Sequence, residues 1–124
     1  MGALVVITTV GTEKQANLIA EELVGRRHAA CVNILQVPRT IYRWQGKVLR
    51  DSELMLVIKT SEDEFAAVER TIKELHDYEV AEILGFPASQ GSREFLAWIA
   101  GSLDKQAAFV DEDDEARSPA DDVG

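Results

Sequence analysis

The chain has a single cysteine, Cys31, so no disulfide can close within it, and the composition suits a reducing interior. With only two histidines beside that thiol, the paired Cys and His spacings of a structural zinc site are missing. A glycine-rich phosphate loop and a Gly-x-Ser-x-Gly turn are missing too, which removes two common routes to nucleotide binding and serine hydrolysis. Apolar runs stay well short of the roughly 20 residues of a membrane span. The start, Met1-Gly2-Ala3, lacks the basic and long apolar segments of a secretory leader, so the expected location is the cytoplasm. Positive charge is scarce, with 13 Lys and Arg against 22 Asp and Glu and a net charge of −9. That balance argues against nucleic acid and against an anionic membrane surface as partners.

The charge is unevenly placed. Residues 105–124 hold seven acidic and two basic side chains, so −5 of the −9 lies there, and 111–115 is an unbroken acidic run. The expected organisation is one domain over 1–104, long enough to bury a core, followed by an acidic, disordered tail over 105–124.

Residues 29–60 organise the domain. Two β-type runs, rich in β-branched and aromatic residues, flank Gln45-Gly46, where Gly46 suits a short hairpin connection with a bulge. Each arm has about 14 residues and spans about 45 Å at 3.3 Å per residue. A helix of about 15 residues covers only about 22 Å. Half the hairpin therefore extends beyond anything the chain can lay over it, yet that half carries Ile41, Tyr42, Trp44 and Val48. Leaving them wet costs about 25 cal/mol per Å² of apolar area, so a second subunit is expected to cover them. Leu54, Leu56 and Ile58 alternate with Met55 and Val57, so both sheet faces look for cover. The second face is left to another subunit or to the C-terminal segment.

Around the hairpin, residues 3–10 read as a buried strand. Gly11-Thr12 supplies a turn and N-cap for a helix whose apolar stripe is Ala16, Ile19, Ala20, Leu23 and Val24, closed by Gly25 and Arg26-Arg27. Ser61-Glu62-Asp63-Glu64 reads as a capping box before a helix burying Phe65, Val68, Ile72 and Leu75. Residues 78–87 read as a last strand stopped by Pro87, and a short amphipathic helix runs from Ser92 or Arg93 to Leu103. The order predicts an α+β, ferredoxin-like split βαβ plan: a four-stranded antiparallel sheet, two helices on one face and a short C-terminal helix.

Little looks catalytic, and the chain is expected not to be an enzyme. The loop Gly11-Thr12-Glu13 carries the wrong charge for phosphate. His76, Tyr78, Glu79 and Glu82 cluster after the second helix, with Lys59 ending the third strand. A histidine at a helix C-terminus is ordinarily a favourable charge, and it is equally an imidazole suited to copper, nickel or zinc. Cys31, flanked by alanine, reads as a small buried residue. Tyr42, Trp44 and Tyr78 suit a cleft between subunits, or simply an oligomer interface.

The segments Ala29-Ala30-Cys31-Val32-Asn33-Ile34, Ile41-Tyr42-Arg43-Trp44-Gln45-Gly46-Lys47-Val48, Ile58-Lys59-Thr60, His76-Asp77-Tyr78-Glu79-Val80-Ala81-Glu82-Ile83 and Phe95-Leu96-Ala97-Trp98 together resemble the CutA divalent-cation tolerance family. The resemblance runs in order from residue 3 to about 103. It implies a homotrimer of ferredoxin-like subunits, similar to PII signal proteins and linked to tolerance of copper and other divalent metals. It also implies a metal site at His76 with Glu82, for Cu(II) or another divalent cation, and a ligand cleft involving Cys31, Asn33, Tyr42, Trp44, Lys59 and Tyr78. An alternative role is a structural or signalling trimer that scaffolds partner proteins without binding metal. Asp77 and Ala81 stand where the family usually has prolines, and His28 where it has leucine. Thr8 and Leu75 stand where some members carry a thiol and a second histidine.

Overall fold

The computed structural model describes residues 2–106. Four strands, β1 (Ala3–Val10), β2 (Cys31–Trp44), β3 (Lys47–Ser61) and β4 (Leu84–Pro87), form one antiparallel sheet in the order β2-β3-β1-β4. Three α-helices, α1 (Glu13–Gly25), α2 (Phe65–Leu75) and α3 (Arg93–Ser102), complete the expected ferredoxin-like plan. The part of the expected acidic tail beyond residue 106 lies outside the described residues.

Alternation decides what the sheet buries. Leu4, Val6 and Val10 of β1 pair across to Thr60, Ile58 and Leu54 of β3, and this face meets Ala16, Ile19, Ala20 and Leu23 of α1 and Val68 and Ile72 of α2. The two helices are stitched by a buried polar residue: Gln15 Nε2 donates to the Leu75 carbonyl at 2.6 Å, satisfying an end group of α2. On the opposite side, α3 and the following Leu103 pack Ile99 and Leu103 against Ala30 and Ala3. The C-terminal helix thus covers one end of the second face. Leu35, Leu84 and Phe86 on that face are about half exposed.

Side chains cap the N-termini of α1 and α3. Thr12 caps α1 by accepting the Gln15 N–H at 3.1 Å, and the Ser92 hydroxyl does the same for α3 with Phe95. The end of α1, expected at Gly25 and Arg26-Arg27, closes there: Arg27 takes φ 62°, and the Arg27 and His28 N–H groups return to the Val24 and Leu23 carbonyls. Three expectations are corrected. The capping box does not form, because Ser61 stays paired in β3 and Glu64 turns to His28 Nδ1 at 3.1 Å and Lys105 Nζ at 3.2 Å. The turn at Gln45-Gly46 has φ of 49° and 79° and joins Trp44 directly opposite Lys47, a two-residue connection with no bulge. The last strand begins at Leu84, not Tyr78, because residues 78–83 are pulled off the sheet edge by contacts described below.

Thr8 sits on the helix face with no exposure, and its Oγ1 is the one buried side-chain polar atom among the described residues without a hydrogen-bond partner. Valine has the same shape without the stranded hydroxyl. Thr8→Val should therefore stabilise the fold by about 1 kcal/mol, read as a higher denaturant midpoint at matched protein concentration.

Candidate functional site: an acidic groove walled by aromatics

β1 pairs only with residues 54–61 of β3, so residues 47–53 have β2 as their one neighbour. The hairpin runs past the sheet by about 23 Å at 3.3 Å per residue. Within it the register breaks: β2 advances from Val37 to Thr40 while β3 moves only from Glu53 to Asp51. This one-residue bulge contains Pro38, which cannot donate to the ladder. Its effect is to exchange faces. Cys31, Asn33, Leu35 and Val37 on one side of the bulge, and Thr40, Tyr42 and Trp44 on the other, share the sheet face turned away from α1 and α2.

The chain after α2 then closes over this aromatic row. His76 Nε2 lies 2.7 Å from the Thr9 carbonyl, just beyond the last β1–β4 pair, and its Nδ1 accepts the Tyr78 N–H at 3.0 Å. A carbonyl only accepts, so Nε2 carries the proton and Nδ1 does not. The Tyr78 hydroxyl donates to Glu53 Oε2 at 2.7 Å, and its oxygen lies 3.4 Å from the point a Cβ on Gly11 would occupy, with the ring at 3.8 Å. Thr9 Oγ1 donates to Glu82 Oε1 at 3.4 Å. These contacts, from residues far apart in the chain, replace the strand pairing expected of 78–83.

The result is a groove of about 480 Å³ lined by Thr9, Thr40, Tyr42, Trp44, Glu53, Asp77, Tyr78, Glu79, Val80 and Glu82. Its size is that of a small-molecule site. Among the described residues the lining holds four carboxylates and no basic side chain. Glu53 is 9% exposed, and its only described partner is the Tyr78 hydroxyl. Burial, together with the Glu53 carboxylate, holds the Tyr78 phenol well above the ordinary tyrosine value, so it stays a donor. Tyr42 donates to Asp51, and that hydrogen bond raises its phenol too.

The expected site residues separate within one chain. Tyr42, Trp44, Tyr78 and Glu82 meet in this groove. His76 lines a neighbouring pocket with Glu69, Lys73, Tyr78, Glu79, Val80, Ala81 and Ile83, while Thr9 is contacted by both His76 and Glu82. Cys31, Asn33 and Lys59 lie toward the other end of the same sheet face, six residues or about 20 Å along β3 from Glu53. There Cys31 pairs opposite Lys59, and Lys59 Nζ donates to Asn33 Oδ1. Burial pushes the Cys31 thiol up, against the pull of Lys59. Among the described residues no three His, Cys, Asp or Glu side chains come together to hold a metal ion, and both His76 nitrogens are engaged. The described residues of one subunit therefore form no preformed metal centre. Sequence reasoning does not single out Glu53; a lone acid between Ser52 and Leu54 in a strand is the signal it offered.

The fold and groove define a class: an α+β, ferredoxin-like subunit with a ligand-sized acidic cleft beside its sheet. The chain belongs to the CutA1 divalent ion tolerance family, whose model matches residues 4–102. It is similar to the divalent-cation tolerance protein CutA of Thermus thermophilus, with 46% identity over 95 residues, 77% of this chain and 92% of that protein. With human protein CutA it shares 40% over 91 residues, 73% of this chain but 51% of that one, so it spans about half the length of the human relative. The crystal structure of CutA from Xylella fastidiosa aligns with TM-score 0.81 and 33% identity over 84% of this chain and 100% of that one.

Tyr78→Phe leaves the Glu53 carboxylate without its donor and should lower stability by roughly 1–2 kcal/mol. The folded-state value of Tyr78 is raised, so its contribution is intact below the ordinary tyrosine value of about 10 and is lost as pH climbs above it. Denaturation between pH 8 and 11.5 should show stability falling at the alkaline end in the wild type and falling less in Tyr78→Phe.

Proposed function

We propose that this protein serves divalent-cation tolerance as a homotrimer whose clefts between subunits bind a positively charged ligand, and that it catalyses no reaction. Cu(II) or another divalent ion is the first candidate, and the cytoplasm is the proposed location, in keeping with the unpaired Cys31. The observation that carries this reading is the groove's lining, among the described residues, of four carboxylates with no basic side chain. Such a cleft concentrates cations and repels anions. Assembly is supported by apolar side chains left in water on the overhanging hairpin, Ile41 at 58% and Val48 at 48% exposure, and by the half-exposed Leu35, Leu84 and Phe86 on the second face. Since the described residues of one subunit gather too few ligands for a metal, carboxylates from a second copy would have to complete the coordination.

The scaffold reading, a PII-like trimer that engages partner proteins without holding metal, is favoured by one contact set: His76 spends both nitrogens on the backbone of Thr9 and Tyr78. Light scattering at micromolar concentration should report three copies, and Ile41→Asp with Val48→Asp should yield single chains. A stable single-copy wild type would end the trimer reading. Calorimetric titration with Cu(II) separates the two functions. Binding that weakens at least tenfold in Glu53→Gln/Glu82→Gln, with little change in His76→Ala, supports the groove. Loss confined to His76→Ala moves the site to the histidine, and no heat in any form favours the scaffold.

A further inference from the structure

The walls of the groove say more about its ligand than its charge does. A hydrated divalent ion gains nothing from aromatic faces and needs several oxygens converging on one point, which the described residues do not supply. An anion meets four carboxylates. A neutral apolar guest would complete the burial of Glu53 with no cation to offset its charge, a costly outcome. An organic ammonium ion satisfies each surface: its charge faces the carboxylates, and its hydrocarbon part and its charge both suit the rings of Trp44, Tyr42 and Tyr78. The protonation pattern agrees. Both phenols point their protons at carboxylates, Tyr42 at Asp51 and Tyr78 at Glu53, and both are held in the protonated form. Glu53 Oε1 accepts no hydrogen bond from the described residues, which leaves it for a donor from the guest.

We propose that the groove between Trp44, Tyr42, Tyr78 and Glu53 binds an organic ammonium ion, held by the buried carboxylate and the aromatic faces. This rests on the groove being the ligand cleft of the proposed function and names the class of cation it takes.

The test uses the full chain and two probes of matched size, n-butylammonium and its neutral counterpart 1-butanol. In Trp98→Phe, Trp44 is the single indole and reports occupancy by fluorescence. Saturable quenching by n-butylammonium is expected, with 1-butanol at least tenfold weaker. By calorimetry, Trp44→Leu should weaken n-butylammonium about fivefold or more, in line with a cation–π contact, and Glu53→Gln about tenfold or more. Because a change at buried Glu53 can unsettle the fold, Glu79→Gln/Glu82→Gln at the exposed rim is the second variant, expected to weaken the ammonium and leave 1-butanol unchanged. Equal binding of the two probes, or unchanged affinity in Trp44→Leu, overturns the inference. Cu(II) held by the groove while n-butylammonium is not overturns the inference alone; if neither binds, the proposed function falls with it.

Discussion

A mismatch of lengths governs this molecule. β3 has fifteen residues and β1 has eight, so half of the longest strand runs beyond the sheet that anchors it. A two-stranded ribbon alone is marginal in water. Here it is held by what grips its base: the Leu54–Ser61 half is paired on both sides and buried against α1 and α2. The overhang turns a plain ferredoxin-like subunit into one with an exposed apolar arm, and it provides one wall of the groove.

The opposite wall depends on residues leaving the sheet. Had 78–83 continued as a strand beside β1, Tyr78 could not have reached Glu53, and the groove would have been the flat edge of a sheet. Three polar contacts divert the chain. His76 takes the Thr9 carbonyl, Thr9 Oγ1 takes Glu82, and Tyr78 takes Glu53. Each leaves a buried or half-buried polar group satisfied, so the loop meets its hydrogen-bonding needs without strand pairing. His76 thus acts as a backbone latch with both nitrogens occupied.

Much of the fold was legible because its signals are local. The stripe at Ala16, Ile19, Ala20 and Leu23 and the cap at Thr12 depend on neighbours three or four positions away and hold, although Val24, expected on the same stripe, is 42% exposed. Signals that compete with distant partners misled. Ser61 and Glu64 have the spacing of a capping box, but Glu64 found His28 and Lys105 instead. Val80, Ile83 and Leu84 read as one strand, although tertiary contacts of Tyr78 and Glu82 cut it to Leu84–Pro87. Of the site, Tyr42, Trp44, Tyr78 and Glu82 were readable as unusual residues in company. Glu53, which gives the groove its buried charge, was not, because nothing near it in the chain says it is buried.

The order of elements, the start of the first helix at Thr12, the overlong hairpin and the acidic balance were determined by the sequence alone, since each follows from composition or short-range periodicity. Which face Tyr42 and Trp44 occupy was decided only in three dimensions. One extra residue between Val37 and Thr40 exchanges the two sides of the strand, and strand alternation counted from either end cannot say where that residue is absorbed. The same holds for the meeting of Tyr78 with Glu53, twenty-five positions apart: a contact of that span exists only once the sheet has set the distance between them.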